Sequence, residues 1–517
     1  MTSSEPVAIL ARGLRDAGLT HAFGITGSGQ SMELIHHLES LGVRYHPVSH
    51  ESAAAISSGA IWRVGGGLSA AISIKGPGVA NLFPGILYNF YETVPGLTIS
   101  EAYGSDSPPA RRHKRLHPGA VLGQVVKGLI GLDEVEKRLS SLLELSREEI
   151  PGPVHVELAG GVESKHFSAP PIDQVSGRNC LRIISSAARP VVIAGSLSCR
   201  RRWRGLLENL RLPLFTTASA KGVVDEQLAQ CAGVFTGENH DPVSRSRVLA
   251  RSDLVVGLGL RNTEVIQPAP FGQPTILVDE ISGDFSDGFE AEEIVSLADA
   301  EVEELLGILA TKSWGMDEVE IERRQLRDDL IHRGWLPAAC FDVLDRIEGP
   351  LTLALDTGSF CRIGELLWRA SSARMCVGSH NGRYMGGGIP TAIGASIGRP
   401  ATPVFCAVGD GGMGMYPAEV RLAIAENLPI CFVLMTDGRY GSIISASRNR
   451  TFFSARAVTV SRPSWWKAME SMGSEAREVR SADIFSSAVS SWGRRSPLFL
   501  ECVFDPESYV TQMNSGG

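Results

Sequence analysis

The stretch from residue 404 to residue 443 constrains this chain more than any other. Residues 404–408 are all apolar and read as a strand buried on both faces, the pattern of a parallel sheet. The run ends in Gly409-Asp410-Gly411-Gly412, a turn almost without side chains. A helical pattern follows, with Val420, Leu422, Ala423 and Ile424 set among Glu419, Arg421 and Glu426, and it ends near Asn427. Pro429 opens a second apolar strand, 430–435, which stops at Thr436-Asp437-Gly438. This is a strand–turn–helix–strand unit with a carboxylate at the carboxyl end of each strand. Open α/β sheets bind ligands at those ends. Glycines let backbone N–H groups close on a phosphate, and a helix N-terminus favours its negative charge. Mg²⁺ commonly takes one or two carboxylates plus phosphate oxygens. Asp410 and Asp437 therefore predict a divalent-metal site that serves a diphosphate. Taken alone, Gly409–Gly412 reads equally as a solvated turn; the second Asp at the end of the next strand weighs against that.

The unit resembles the GDG…N motif of thiamine diphosphate enzymes, specifically the pyruvate decarboxylase and acetolactate synthase group. The resemblance implies Mg²⁺ ligands at Asp410, at Asp437 and at the backbone carbonyl of Arg439. It implies cofactor contacts from Gly409, Gly411, Gly412, Tyr440 and Gly441. The family usually carries Asn where this chain has Asp437. Both residues offer an oxygen ligand, so metal binding is expected to survive with more negative charge at the site.

At 517 residues the chain is expected to form about three domains. A net charge of −8 argues against nucleic acid as a partner. Nine cysteines without a C-x-x-C pair fit a reduced, cytoplasmic protein better than a disulfide framework. No apolar run approaches the length of a membrane span, and the start MTSSEPVAIL lacks the basic residues of a signal peptide. A multidomain α/β enzyme acting on small molecules is the expectation.

Towards the N-terminus, Gly24-Ile25-Thr26-Gly27-Ser28-Gly29-Gln30-Ser31 almost spells a phosphate-binding P-loop. Gln30 stands at the lysine position, so the charge that grips the phosphates is missing and nucleotide hydrolysis is rejected. His50-Glu51-Ser52-Ala53-Ala54 opens a helix of small residues. It resembles the H-E-x-x-A segment of the same enzymes, in which the glutamate bonds the cofactor's pyrimidine and promotes its imino tautomer. That role needs a carboxyl group in an apolar pocket, where desolvation raises its pKa. Lys75-Gly76-Pro77-Gly78-Val79-Ala80-Asn81 is similar to the family's GPG-x-x-N turn, which implies contacts from Gly76 and Asn81. Lys75 replaces a residue that is usually small, and either grips a substrate anion or lies along the surface. Ser28 stands where benzoylformate decarboxylases place a serine against the substrate carboxylate, with Gln30 beside it. The basic run 111–117 reads as a solvated loop or as an anion grip.

Pro170-Pro171 marks a linker, and a second domain begins near Gly177. It resembles the family's central domain, which carries FAD in acetolactate synthases. It has no G-x-G-x-x-G, and Arg200, Arg201, Arg202 and Arg204 read as a nucleotide-phosphate grip or, more simply, as a basic surface, so FAD stays undecided. In the last domain, Asp356-Thr357-Gly358-Ser359 implies a hydroxyl donor to the diphosphate at Ser359. The segment from Arg383 to Ala395 resembles the one that wedges an apolar residue between the cofactor's two rings. Met385 aligns with that wedge, and Arg383 lies beside it.

The expected fold is α/β, with three doubly wound parallel-sheet domains: pyrimidine-binding 1–168, central 177–330 and diphosphate-binding 336–517. The resemblance implies thiamine diphosphate and Mg²⁺ as cofactors and a homodimer or homotetramer, with Glu51 crossing a subunit interface. It implies a 2-oxo acid substrate and, for a ligase, a carbonyl acceptor. Simple pyruvate decarboxylases carry a glutamate six positions after the second metal ligand, where this chain has Ile443. That missing acid favours an acetolactate synthase-like carboligase over a decarboxylase that releases an aldehyde. A flavin-linked oxidase and a silent regulatory homologue are the remaining alternatives; the second conflicts with the presence of Glu51, Asp410 and Asp437.

Overall fold

The computed structural model describes residues 5–103, 114, 116–161, 165–166, 178–238, 241–281, 284–297, 299–447 and 450–512. Most of the basic run 111–117 and the Pro170-Pro171 linker lie outside them.

Three sheets follow one another along the chain. The first holds β1 (Leu19–Gly24), β2 (Arg44–Pro47), β3 (Leu68–Ser73), β4 (Leu97–Glu101), β5 (Gly128–Gly131), β6 (Val154–Leu158) and β7 (Lys165–His166). Their order is β2-β1-β3-β4-β6-β5-β7, parallel except for β7, which pairs antiparallel with β5. The second holds β8 (Pro190–Ala194), β9 (Leu214–Thr216), β10 (Cys231–Val234), β11 (Leu254–Leu258), β12 (Thr275–Val278) and β13 (Glu293–Val295). Its order is β10-β9-β8-β11-β12-β13, parallel throughout. The third holds β14 (Thr352–Leu355), β15 (Cys376–Gly378), β16 (Val404–Gly409), β17 (Ile430–Thr436), β18 (Glu475–Val479) and β19 (Leu498–Val503). It is also all parallel, in the order β15-β14-β16-β17-β19-β18. Apart from β7, the first and third sheets thus have the same strand order. Buried strands such as β16 and β17 carry the near-continuous apolar runs that helices on both faces require, whereas β6, equally buried, encloses His155 and Glu157.

The first and third domains share one core. The helix Glu51–Gly65, small-sided and buried along most of its length, lies against the helix Gly388–Gly398. A Cβ on Gly394 would sit 2.0 Å from the Ser57 carbonyl, so only glycine permits this approach. Ser57 Oγ donates to the Pro390 carbonyl at 2.8 Å. The single helix expected after the glycine turn is broken into Asp410–Met415, a 3₁₀ turn Pro417–Glu419 and Val420–Ala425. Pro417 has no N–H to continue the ladder, which is why the chain turns there.

Candidate active site

The two aspartates of the third domain lie at the carboxyl ends of adjacent strands, β16 and β17. Asp410 Oδ1 accepts from the Thr436 hydroxyl at 2.6 Å, and its Oδ2 accepts the N–H groups of Asp437 and Gly438, both at 3.0 Å. Asp437 Oδ1 accepts the Arg439 N–H at 3.2 Å, whereas its Oδ2 is buried without a partner. Burial, then the charge of Asp410, pushes Asp437 up to about 6. Burial also raises Asp410, against the three hydrogen bonds that favour its ionised form. Two adjacent buried carboxylates with an orphaned oxygen fit a divalent cation. Among the described residues no group of three or more His, Cys, Asp or Glu side chains could hold a metal.

A cavity of about 350 Å³ opens above these strand ends. The glycine turn forms one wall, Ser359 another, and Arg439, Tyr440 and Gly441 a third. Ser359 begins the helix Ser359–Leu367, which has no acidic residue in its first turn. A Cβ on Gly411 would meet Met385 Sδ and the Tyr440 ring, each at 2.6 Å; one on Gly412 would meet Asp356 Oδ2 at 1.7 Å. The turn is glycine because a thioether, a phenol and a carboxylate pack directly on it. Asp356 is the residue that sequence reasoning missed here. Burial pushes it up to about 7 although four backbone N–H groups, from Thr357, Gly386, Gly387 and Gly388, oppose the shift. Its Oδ2 has no partner. Its place at the end of β14, ahead of Thr-Gly-Ser, was the available signal. Arg383 lines the cavity, but its guanidinium is engaged by buried Glu365 at 2.7 and 3.1 Å.

In the first domain, Glu51 opens its helix, with His50 as N-cap accepting the Ser52 N–H at 3.2 Å. Glu51 is buried, and its Oε2 accepts from Asn81 Nδ2 at 3.0 Å. Gly76, at φ +68°, turns the chain into the helix that bears Asn81; a Cβ there would strike the Lys114 carbonyl at 2.5 Å. Glu51, Asn81 and Gly76 thus share one corner. Lys75 is not a free anion grip: Nζ pairs with buried Glu101 at 2.8 Å and lies 5.3 Å from the Tyr103 ring centroid. Glu101 also accepts the N–H and the hydroxyl of Ser31, at 3.0 and 2.7 Å. It closes the crevice where a P-loop would seat phosphate, and the sequence did not single it out. Ser28 is exposed and Gln30 half-buried at the start of the helix Gln30–Ser40. No described residue of the first domain lines the third domain's cavity. Glu51, Asn81 and Gly76 are thus not among the residues that wall it.

The central domain closes its own crevice. Its strand order turns between β8 and β11, where a dinucleotide would lie. There Glu264 takes the Ser196 N–H at 2.8 Å and the Thr217 hydroxyl. Buried Arg261 grips Asp279 at 2.8 and 2.5 Å and Glu149 at 2.5 Å. Burial alone would raise Glu149; Arg200 and Arg261 outweigh it and hold the carboxyl down at about 2. Of the four arginines offered as a phosphate grip, Arg200 pairs with Glu149, Arg201 with Glu280 and Arg204 with Glu208. Arg202 is exposed. The residues present do not fit FAD.

Comparison with known proteins agrees with this division of labour. The chain matches the N-terminal TPP binding domain of thiamine pyrophosphate enzymes over residues 6–118. It matches their central domain over 178–304 and their C-terminal TPP binding domain over 356–502. It is 22% identical to a probable acetolactate synthase large subunit of Methanococcus aeolicus, covering 90% of this chain and 86% of the relative. It is 22% identical to the acetolactate synthase large subunit of Haemophilus influenzae, covering 98% and 96%. It is 25% identical to a probable 2-ketoarginine decarboxylase, AruI, of Pseudomonas aeruginosa, covering 84% and 82%.

Proposed function

The chain belongs to the thiamine pyrophosphate enzyme family and acts on 2-oxo acids; from that premise we propose that it is a Mg²⁺-dependent carboligase. It would decarboxylate a 2-oxo acid and transfer the acyl unit to a second carbonyl. The observation that carries the cofactor assignment is the orphaned Oδ2 of Asp437 beside Asp410, above a glycine turn that leaves room for phosphate oxygens. Asp410, Asp437 and the Arg439 carbonyl would hold Mg²⁺. Ser359, Gly409, Gly411, Gly412, Tyr440 and Gly441 would hold the diphosphate, and Met385 would support the bend between the rings. Thiamine diphosphate, when bound, supplies a nucleophilic carbon and an electron sink. Glu51 would hold a proton at the pyrimidine, with Asn81 fixing its carboxylate. Since Glu51 does not reach the cavity of its own chain, a second copy would bring it there, which makes the active unit at least a homodimer.

The choice of ligation rests on Ile443, which lines the cavity 54% exposed and cannot deliver a proton. The decarboxylase reading draws its support from the similarity to the 2-ketoarginine decarboxylase. The flavin reading loses its support in the closed central crevice. We further propose units 1–168, 177–330 and 336–517 as the pyrimidine, central and diphosphate domains. A reducing, cytoplasmic setting is supported by nine free cysteines. No helix of the described residues is long and apolar enough to cross a membrane.

The test is turnover of purified protein with Mg²⁺, thiamine diphosphate and a panel of 2-oxo acids, alone and paired with aldehydes. Products are read by mass spectrometry, with Glu51→Gln as control. A hydroxyketone that disappears in the variant is expected. Aldehyde and CO₂ alone would establish the decarboxylase instead.

A further inference from the structure

Two buried carboxylates reach across the boundary between the first and third domains in opposite directions. Glu92, which ends the helix Pro77–Tyr91, extends into the loop after β15. Its Oε2 accepts the His380 N–H at 2.9 Å; its Oε1 accepts the Asn381 and Gly382 N–H groups at 3.1 and 2.9 Å and the Ser379 hydroxyl at 3.2 Å. The chain then continues directly through Arg383 and Tyr384 to Met385. Glu419, in the 3₁₀ turn after the glycine turn, extends the other way. It accepts the Ser49 N–H at 3.0 and 3.2 Å and also the His50 N–H, one residue before Glu51. A side-chain contact between the same domains, His46 Nδ1 with Glu426 at 2.6 Å, lies just before that segment.

Each carboxylate grips consecutive main-chain N–H groups, to which Glu92 adds the Ser379 hydroxyl. Consecutive N–H groups converge on one carboxylate only when the backbone follows a single path, so such a contact fixes position rather than merely adding adhesion. Tight packing supports the Glu92 contact: a Cβ on Gly382 would meet Tyr91 at 2.8 Å, and Asn381 Nδ2 donates to the Tyr91 carbonyl at 3.1 Å. We infer that Glu92 and Glu419 are reciprocal positioning residues, each setting the other domain's half-site: Glu419 sets Glu51, and Glu92 sets the Met385 segment. The inference rests on the function proposed above only for what the two segments do, not for the clasps themselves.

The test begins on the cofactor-free chain, by hydrogen–deuterium exchange with mass spectrometry. Glu419→Ala is expected to speed amide exchange over 48–52 and leave 379–385 unchanged; Glu92→Ala is expected to do the reverse. The loaded protein then separates the roles. Glu419→Ala is expected to slow exchange of the thiazolium C2 proton by about tenfold or more, with cofactor affinity within about threefold of wild type. Glu92→Ala is expected to weaken cofactor binding by about tenfold or more. Glu419→Gln, which keeps an oxygen for the Ser49 N–H, is expected to recover part of the loss. If both variants disturb both segments alike, or neither segment changes, the inference is overturned and these carboxylates only hold the domains together. A wild-type chain that does not bind thiamine diphosphate overturns the proposed function, while the amide exchange still decides the clasps.

Discussion

The first and third domains share a strand order and treat the same crevice in opposite ways. In each, the crevice lies where the order turns, after β1 and β3 in one and after β14 and β16 in the other. The first domain fills it with groups that satisfy one another: Glu101 takes the N–H and hydroxyl of Ser31 and the ammonium of Lys75. The third leaves Asp356 Oδ2 and Asp437 Oδ2 buried without partners. An unsatisfied buried polar group costs roughly 1–3 kcal/mol, and more when charged. The unpartnered Oδ2 of Asp437 belongs to a residue that lines the cavity, where a ligand can complete it, whereas that of Asp356 lies behind the glycine turn, against Gly412. Topology therefore places the crevice, and the polar groups inside it decide whether a ligand is required. The central domain sides with the first, since Glu264 and Arg261 close its own turning point.

The comparison breaks most visibly at Asp410. Asp410→Ala removes the proposed metal ligand and the acceptor for three donors, so Mg²⁺-dependent cofactor affinity should fall by about 100-fold or more, measured by titration calorimetry. In the first domain the same kind of change should act on stability instead. Glu101→Ala strands Lys75 and the Ser31 amide, and breaking a buried pair costs about 3–5 kcal/mol. Because the Lys75 side chain stays 26% exposed, about 2–3 kcal/mol is the better expectation. A urea midpoint that does not move would show that the filled crevice is not held by this pair.

The contrast sharpens with pH. A cation needs Asp437 ionised, and burial beside Asp410 raises its pKa to about 6. Cofactor affinity should therefore fall below about pH 6, by up to about tenfold per pH unit, and Asp437→Asn should move that fall to lower pH, leaving the part due to Asp410. The sign for stability is opposite. A carboxyl raised from 3.8 to about 6 stabilises the metal-free fold fully below 3.8, and that contribution is lost as pH rises through about 6. Metal-free protein should thus lose stability over this window, and Asp437→Asn should lose less, the remainder coming from other raised carboxyls such as Asp356. The smallest effect belongs to the central domain: purified protein should show no flavin absorbance, and added FAD should shift the melting temperature by less than about 1 °C. A yellow preparation would mean that the Glu264–Arg261 closure opens.

Legibility in the sequence follows the range of the interaction. Asp410 and Asp437 were readable because an apolar run that stops at a carboxylate is local information. The same holds for Glu51 at the head of a helix of small residues. Glu101 was not readable, because its partners Ser31 and Lys75 lie 70 and 26 positions away. Lys75 invited an anion-binding reading for the same reason: the carboxylate that neutralises it is not its neighbour in the chain. Asp356 was quoted only as part of a turn, since nothing local says that its oxygen would press on Gly412.

By itself, then, the sequence determined three α/β units, the strand ends at which two aspartates and a glycine turn meet and, through its family resemblance, the cofactor. Only the tertiary structure decided which charges are free. It engaged Lys75 and Arg383, closed the central crevice, left Asp437 short of a partner, and kept Glu51 out of its own chain's cavity. The physical reason is that a charge is defined by its surroundings. Contacts such as Glu419 with Ser49, 370 positions apart, arise only when the helices Glu51–Gly65 and Gly388–Gly398 pack together.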